Sequence, residues 1–257
     1  MLENIPQFCA DASPVLLGLF DLSIAPQLLF YAYIPIILIA LLFSFFIYRQ
    51  ERGGLQGILL LAVTGSFVLW VMNIFIQWVA VPNWLILGSW QATALFEISI
   101  FLCSIYLTYV FIQKGKDISW EIKSILAGIM VAVIVLLPTQ YNISSYDPEN
   151  CEGVVGSLWL FIYSFEIISI LWVIFITRLG FKSSVDKNAK KQILIFGVGM
   201  VAFLAFFSFS NIFAEIIQFY EINLVGPLGL IVFLGSLAYI IVKYNAFHVK
   251  LISTQVL

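Results

Sequence analysis

Two carboxyl groups lie where carboxyls are costly. Glu97 and Glu166 sit deep inside long apolar runs of the 257-residue chain, and neither has a Lys or Arg near it in sequence. Their polar neighbours recur at helical spacing. Ser66, Trp70, Asn73 and Gln77 follow one another at i, i+4, i+7 and i+11. A second series is Trp90, Thr93, Glu97, Ser104 and Thr108, a third Trp159, Tyr163, Glu166 and Ser169, a fourth Ser208, Asn211, Glu215 and Gln218. Each series occupies one face of a helix, so four helices each present a polar stripe. A carboxyl in hydrocarbon with no basic partner is expected to be neutral, or to have a cation or water beside it. Two readings stay open. Glu97 and Glu166 are protonated and hydrogen-bond between helices as packing glue. Or, with Asn73, Asn211, Tyr163, Glu215, Trp70 and Thr93, they line a pocket for a cation, a hydrogen-bonding small molecule or a proton.

The elements that hold these residues are membrane spans. The chain is 62% hydrophobic and only 10% charged, which places it in the membrane class before any motif is read. Apolar runs cover about 26–48, 55–80, 85–112, 122–138, 157–177, 192–219 and 223–242. Each can form a helix crossing a hydrocarbon core roughly 30 Å thick. The intervening segments alternate in charge. All twelve basic residues, from Arg49 and Arg52 to Lys243 and Lys250, fall on one side; 1–25, 81–84, 139–156 and 220–222 hold acidic residues and no Lys or Arg. The positive-inside rule then predicts an all-α membrane protein, a seven-transmembrane-helix bundle with the N-terminus outside and the C-terminus cytoplasmic. The expected division is an outer segment over 1–25, the helical domain over 26–243, and over 244–257 the start of a cytoplasmic linker or a further membrane segment. In this topology Glu97, Glu166 and Asn211 come to similar depth in the outer half, with Asn73 and Glu215 about a turn above at ~1.5 Å per residue. The runs at 26–48 and 122–138 lack a polar stripe and are expected to face lipid or to pack.

Smaller signals fit this frame. Cys9 and Cys151 both fall on the outer side, where an oxidising space favours a disulfide between them, two separate thiols being the alternative. Cys103 reads as a small packing residue. The stretch TQYNISSYDPENCEG reads as turns, and its Asn142-Ile-Ser144 matches a glycosylation sequon. GFKSSVDKNAKKQ reads as the longest inner loop, and 14–20 as an interfacial helical turn or plain leader. Trp78, Trp84, Trp90 and Trp159 cluster near the predicted outer boundary as an aromatic belt. A retinal protein needs a Lys deep in its last helix, and Lys243 sits at the end of that run. Cysteine and histidine are too few and too scattered for a metal cluster, and Gly226-Pro227 reads as a helix start. No cofactor is expected.

The last third carries a recognisable pattern: KNAKKQILIFGVG, then FSNIF, then GPLGLIVFLGSLAYIIVKYNAFHVKLISTQVL. The aromatic-basic exit Tyr239-Ile-Ile-Val-Lys-Tyr-Asn-Ala-Phe247 resembles the end of the seven-helix sensor domain found at the N-terminus of many bacterial sensor histidine kinases. The resemblance covers all seven runs in topology and about 187–257 in motif. It implies a sensory module in the bacterial cytoplasmic membrane that receives a signal in its outer half and relays it to a cytoplasmic kinase region in cis or in trans. The phosphoacceptor helix and nucleotide-binding domain of such kinases are missing, so the chain is expected to be a sensor half, with the ending LISTQVL read as truncation. The other partners expected are membrane lipid and a small molecule, cation or proton as signal; a homodimer is left open and nucleic acid is not expected. A small transporter or channel using the two carboxyls is the alternative from another class, and a structural partner in a larger membrane complex is a third.

Overall fold

A computed structural model describes residues 16–17, 19–23, 27–51, 53–147, 150–217, 219–244 and 246. Seven helices dominate: α1 (Gln27–Gln50), α2 (Leu55–Val79), α3 (Asn83–Ile112), α4 (Trp120–Leu136), α5 (Leu158–Ser183), α6 (Lys187–Ile217) and α7 (Gly226–Tyr244). Six of them, all but α4, are long and apolar enough to cross a membrane. The outward faces fit that reading. Leu38, Leu42, Phe45, Ile168, Leu171, Phe175, Val198 and Phe209 are exposed, an apolar surface far beyond what water tolerates on a monomer.

The six spanning helices close a ring. α1 packs on α2, α2 on α3, α3 on α5, α5 on α6, α6 on α7, and α7 back on α1, while α3 also touches α6 across the middle. α4 stands outside this ring, against α3, and only Val133 of it is buried. Its 17 residues make roughly 25 Å of helix, shorter than a full hydrocarbon core of about 30 Å. Yet α3 and α5 both begin at the same end of the bundle, because Asn142 donates to the Gln91 carbonyl at 2.9 Å and accepts from Trp159 at 3.1 Å. α4 therefore returns the chain along the length of the bundle. Of the two runs expected to face lipid or to pack, α4 is the peripheral one, while α1 packs as a ring member whose Leu29, Tyr33, Ala40 and Ile47 are buried.

Small residues allow the closest approaches. A Cβ on Gly229 would meet the Phe203 backbone at 2.9–3.0 Å, one on Gly199 the Ser236 hydroxyl at 2.0 Å, and one on Gly226 the Ser210 hydroxyl at 2.6 Å. These three contacts lock α6 to α7 by backbone proximity, the usual solution where lipid gives no hydrophobic drive between helices. Gly226 and Pro227 do open α7, as the sequence predicts.

Three readings of the connecting segments change. The stretch read as turns carries strands β1 (Ile143–Asp147) and β2 (Glu152–Val155), antiparallel and irregular between Ile143 and Ser145. Its short ISSYD and EGVV segments show no apolar alternation; the hairpin is held by tertiary contacts, with Gly153 against the Trp90 ring and Tyr146 donating to Asn83 Oδ1 at 2.7 Å. The inner loop shrinks to Ser184–Asp186, because Asp186 caps α6 by accepting from the amides of Asn188 (3.2 Å) and Ala189 (2.9 Å). Those two bonds hold its carboxyl below the usual range. In place of a helical turn, the described residues near Leu19–Asp21 pair with Val79–Val81, Asp21 N–H donating to the Val79 carbonyl at 2.8 Å and Val81 N–H to the Leu19 carbonyl at 2.9 Å. A 3-10 helix, Tyr220–Val225, leads into α7. Most of 1–25 and of 244–257, Cys9 included, lies outside the described residues.

Candidate functional site

The four polar stripes converge inside the ring. Glu97 on α3 is 2% exposed and Glu166 on α5 is 0% exposed. The two carboxyls lie within side-chain hydrogen-bonding contact of one another. Around them, Trp70 Nε1 from α2 donates to Glu97 Oε1 at 3.1 Å, and Asn211 Nδ2 from α6 donates to the same oxygen, also at 3.1 Å. Ser208 Oγ from α6 donates to Glu166 Oε2 at 2.6 Å. Four helices thus meet in one hydrogen-bonded node. Glu97 Oε2, Glu166 Oε1 and Asn211 Oδ1 are buried and accept no bond from any other side chain or backbone N–H among the described residues.

A second network sits one turn nearer the hairpin. Asn73 Nδ2 donates to the Ser89 carbonyl and to Thr93 Oγ1, each at 2.9 Å, and Gln77 Nε2 donates to Thr93 Oγ1 at 2.8 Å. It ties α2 to α3, as does Ser66, which hydrogen-bonds the Cys103 thiol. Trp70, Glu97, Glu166 and Asn211 therefore come together, and Asn73 and Thr93 stack above them. Glu215 is half-buried a turn above Asn211. Tyr163 is half-buried and packs on Trp159, with ring centroids 5.5 Å apart.

Toward the basic end the ring is filled by aromatics. Trp70 meets Phe207 edge-on at 4.7 Å, and Phe207 touches Phe67, Phe101 and Phe203 at 6.0–6.3 Å. Phe203 stacks on Phe233 of α7 at 6.1 Å, Phe233 meets Phe196 at 5.7 Å, and Phe196 stacks on Phe111 at 3.9 Å. Each of these phenylalanines is buried. The column runs from the acid pair to the far end of α3 with α7 as one wall. Of the buried hydroxyls beside it, Thr108 donates to the Ser104 carbonyl at 2.7 Å, and Thr64 lies 2.9 Å from the Leu60 carbonyl and 2.8 Å from the Ser44 hydroxyl of α1.

Sequence reasoning missed this column, since phenylalanines in an apolar run carry no periodic contrast. It also missed Asn142 and the hairpin acids. Asn142 is 0% exposed, with both ends of its amide bonded to Gln91, Leu137 and Trp159, so the sequon asparagine is a structural tie with no room for a glycan. Trp159 is accordingly a core residue and Trp90 is covered by Gly153, whereas Trp84 is exposed as a belt residue should be. Above the node, burial first and then Asp147 and Glu215 raise the Glu152 carboxyl, and burial with Asp147 pushes Tyr146 up to about 12. Cys151 is disulfide-bonded, while Cys103 is a free thiol. An apolar hollow of about 390 Å³ lies elsewhere, between Val133 and Leu136 of α4 and Leu158 and Phe161 of α5.

The described residues contain no group of three or more His, Cys, Asp or Glu side chains able to hold a metal ion. Comparison with protein-family models, curated proteins and solved structures returns no match for this chain.

Proposed function

We propose that the chain is a membrane sensory module whose signal acts on the buried Glu97–Glu166 node and leaves through α7. The supporting observation is the aromatic column. It joins the node to α7 through Trp70, Phe207, Phe203 and Phe233 and fills the space a conduction path would need. A signal works only by binding two arrangements of the bundle with different affinity. Here the bistable part is α6–α7: α6 carries Asn211 and Ser208 of the node and is locked to α7 by Gly199, Gly226 and Gly229. Losing or gaining a bond at the node favours a different seating of this pair, and the displacement emerges at Lys243 and Tyr244.

The finer reading keeps seven spans, α4 included, with the hairpin outside and the basic end in the cytoplasm of a bacterial cell. The charge segregation supports it. The output is a cytoplasmic kinase region reached from the α7 exit, where Lys243 bonds Tyr239 at 2.8 Å and lies over the Tyr239 and Tyr244 rings. That assignment rests on the sequence resemblance of 187–257 alone. The test uses the chain in liposomes, with spin labels at positions 116 and 243. Stepping the pH or monovalent cation should change the label distance with no ion flux. Flux abolished by Glu97→Gln, with the distance unchanged, would make the chain a transporter instead.

A further inference from the structure

The node has more acceptors than donors. Glu97 and Glu166 offer four carboxyl oxygens; Trp70, Asn211 and Ser208 supply three donors, and two of those go to one oxygen, Glu97 Oε1. Glu97 Oε2 and Glu166 Oε1 are left without a donor although the two side chains are in contact. Two acceptor-only oxygens in contact repel, and a dry interior magnifies the repulsion. One proton between them turns the same contact into a charge-assisted hydrogen bond and leaves the pair with a single negative charge. That remaining charge is met by the indole, amide and hydroxyl donors already in place.

We propose that Glu97 and Glu166 form one proton-binding site, holding a single proton between Glu97 Oε2 and Glu166 Oε1 and exchanging it with the hairpin side through Glu215 and Glu152. This deepens the sensory reading by naming the proton as its signal. The groups facing the pair from each helix fit a proton better than a metal cation. α2 contributes the Trp70 indole N–H and α6 the Asn211 amide and Ser208 hydroxyl, all donors turned toward the carboxyls. The carboxyls on the hairpin side are Glu215 of α6 and Glu152 of β2, the latter directly across the strands from Asp147 of β1. No Lys, Arg or His of the described residues faces the pair, all of them lying toward the opposite end. Asn211 Oδ1, on the same amide that donates to Glu97 Oε1, is buried and accepts no hydrogen bond from the described residues. On α6, Glu215 is one turn from Asn211, on the hairpin side of the pair. Toward the other end the phenylalanine column itself carries no titratable group, which puts the exchange on the hairpin side.

The test is infrared difference spectroscopy on the full chain in lipid bilayers, stepped in pH with choline or Na⁺ as the sole monovalent cation. The expected result is one protonated-carboxyl band per chain, shifted in D₂O and lost at alkaline pH. Both Glu97→Gln and Glu166→Gln should remove or displace that one band, and Asp117→Asn should leave it. Two bands, each lost only with its own substitution, would show two independent neutral carboxyls and overturn the shared proton. Loss of the band on replacing choline by Na⁺ at constant pH would make this a metal-cation site. A spectrum with no protonated carboxyl assignable to either residue would mean that both are ionised and would also overturn it. If a glutamine substitution prevents folding, Ser208→Ala serves in its place: it removes a donor to Glu166 and should shift the band, and an unshifted band counts against the pair. Glu215→Gln should keep the band and slow its H/D exchange at least several-fold; unchanged exchange would remove the access route. None of these measurements needs a signal output. A pair that holds its proton while α7 stays still would sink the sensory reading and leave this one standing.

Discussion

Trp70 and Glu97 are joined by a hydrogen bond of 3.1 Å from the indole N–H to Oε1, and the same indole packs edge-on against Phe207 at 4.7 Å. One side chain thus belongs to both the polar node and the aromatic column. Trp70→Phe keeps most of the ring and deletes the donor, which for a charged acceptor costs about 1.5–3 kcal/mol. Asn211→Leu deletes the second donor to the same oxygen. Because both act on Glu97 Oε1, the double substitution should depart from the sum of the singles by at least about 0.5 kcal/mol. Unfolding in detergent, compared across this cycle, measures it; strict additivity would mean that the two donors do not share one acceptor.

The α6–α7 lock gives a sharper loss. A methyl on Gly229 has to sit 2.8–3.0 Å from Phe206 Cβ and the Phe203 backbone, where neither neighbour can rotate away. Overpacking of this kind costs about 1–3 kcal/mol. Gly229→Ala should lower the melting temperature and weaken the coupling of the node to α7. Gly235, where a Cβ meets nothing within 4 Å, is the control, and Gly235→Ala should be near neutral or stabilising. Equal melting temperatures for the two variants would refute close packing at Gly229.

How much of this the sequence revealed depends on contrast. Glu97, Glu166, Asn73 and Asn211 stand out because a polar group in an apolar run breaks the pattern, and helical spacing then puts each on an inward face. Depth, counted at about 1.5 Å per residue, brings them to one level. Pairing is a different matter: that Asn211 meets Glu97 while Ser208 meets Glu166 depends on helix rotation and on which helices are neighbours. The column from Trp70 to Phe111 was illegible for the opposite reason, since phenylalanine facing the core and phenylalanine facing lipid read alike. The tie made by Asn142 was illegible too, because only tertiary packing shows that this residue of a polar stretch joins α3 to α5.

The hairpin acids make one pH dependence specific. The Glu152 carboxyl is raised in the folded state, chiefly by burial and then by Asp147 and Glu215. A raised folded value means that the folded chain binds the proton more tightly, so its contribution to stability is complete below the unfolded value and is lost as pH rises through the folded one. Hydrogen-exchange protection of the β1–β2 amides should therefore fall, after correction for intrinsic rates, between an ordinary Glu value of about 4.3 and the raised one. Glu152→Gln should flatten that fall. Protection that rises with pH over the same window would contradict the sign.

Cys151 takes a positive φ of 60° at the hairpin turn and is disulfide-bonded. The partner expected from the sequence is Cys9, tying the N-terminal segment to the hairpin. Peptide mapping of unreduced protein should yield a linked Cys9–Cys151 pair that separates on reduction, with Cys103 alkylated in both states. A freely alkylated Cys9 in unreduced native protein would dismiss the pairing.

Topology decides whether α4, outside the ring, nonetheless crosses the bilayer. Its roughly 25 Å falls short of a full core, and the bilayer or the flanking residues must absorb the difference at a modest cost. Trp120 at its start is exposed, and Lys123 pairs with Asp117 just before it, which suits an interface at that end. Tyr106 also donates to Asp117 at 2.5 Å, and these bonds hold that carboxyl below its usual range, so the clasp should persist down to acidic pH. With α4 spanning, single cysteines placed at 144–146 react with an impermeant thiol reagent only from outside intact cells. Those at 182–190 react only after the membrane is opened. If α4 instead stayed on one side, α5 would start from that side: cysteines at 144–146 would be sheltered in intact cells, those at 182–190 would label from outside, and the number of crossings would be six.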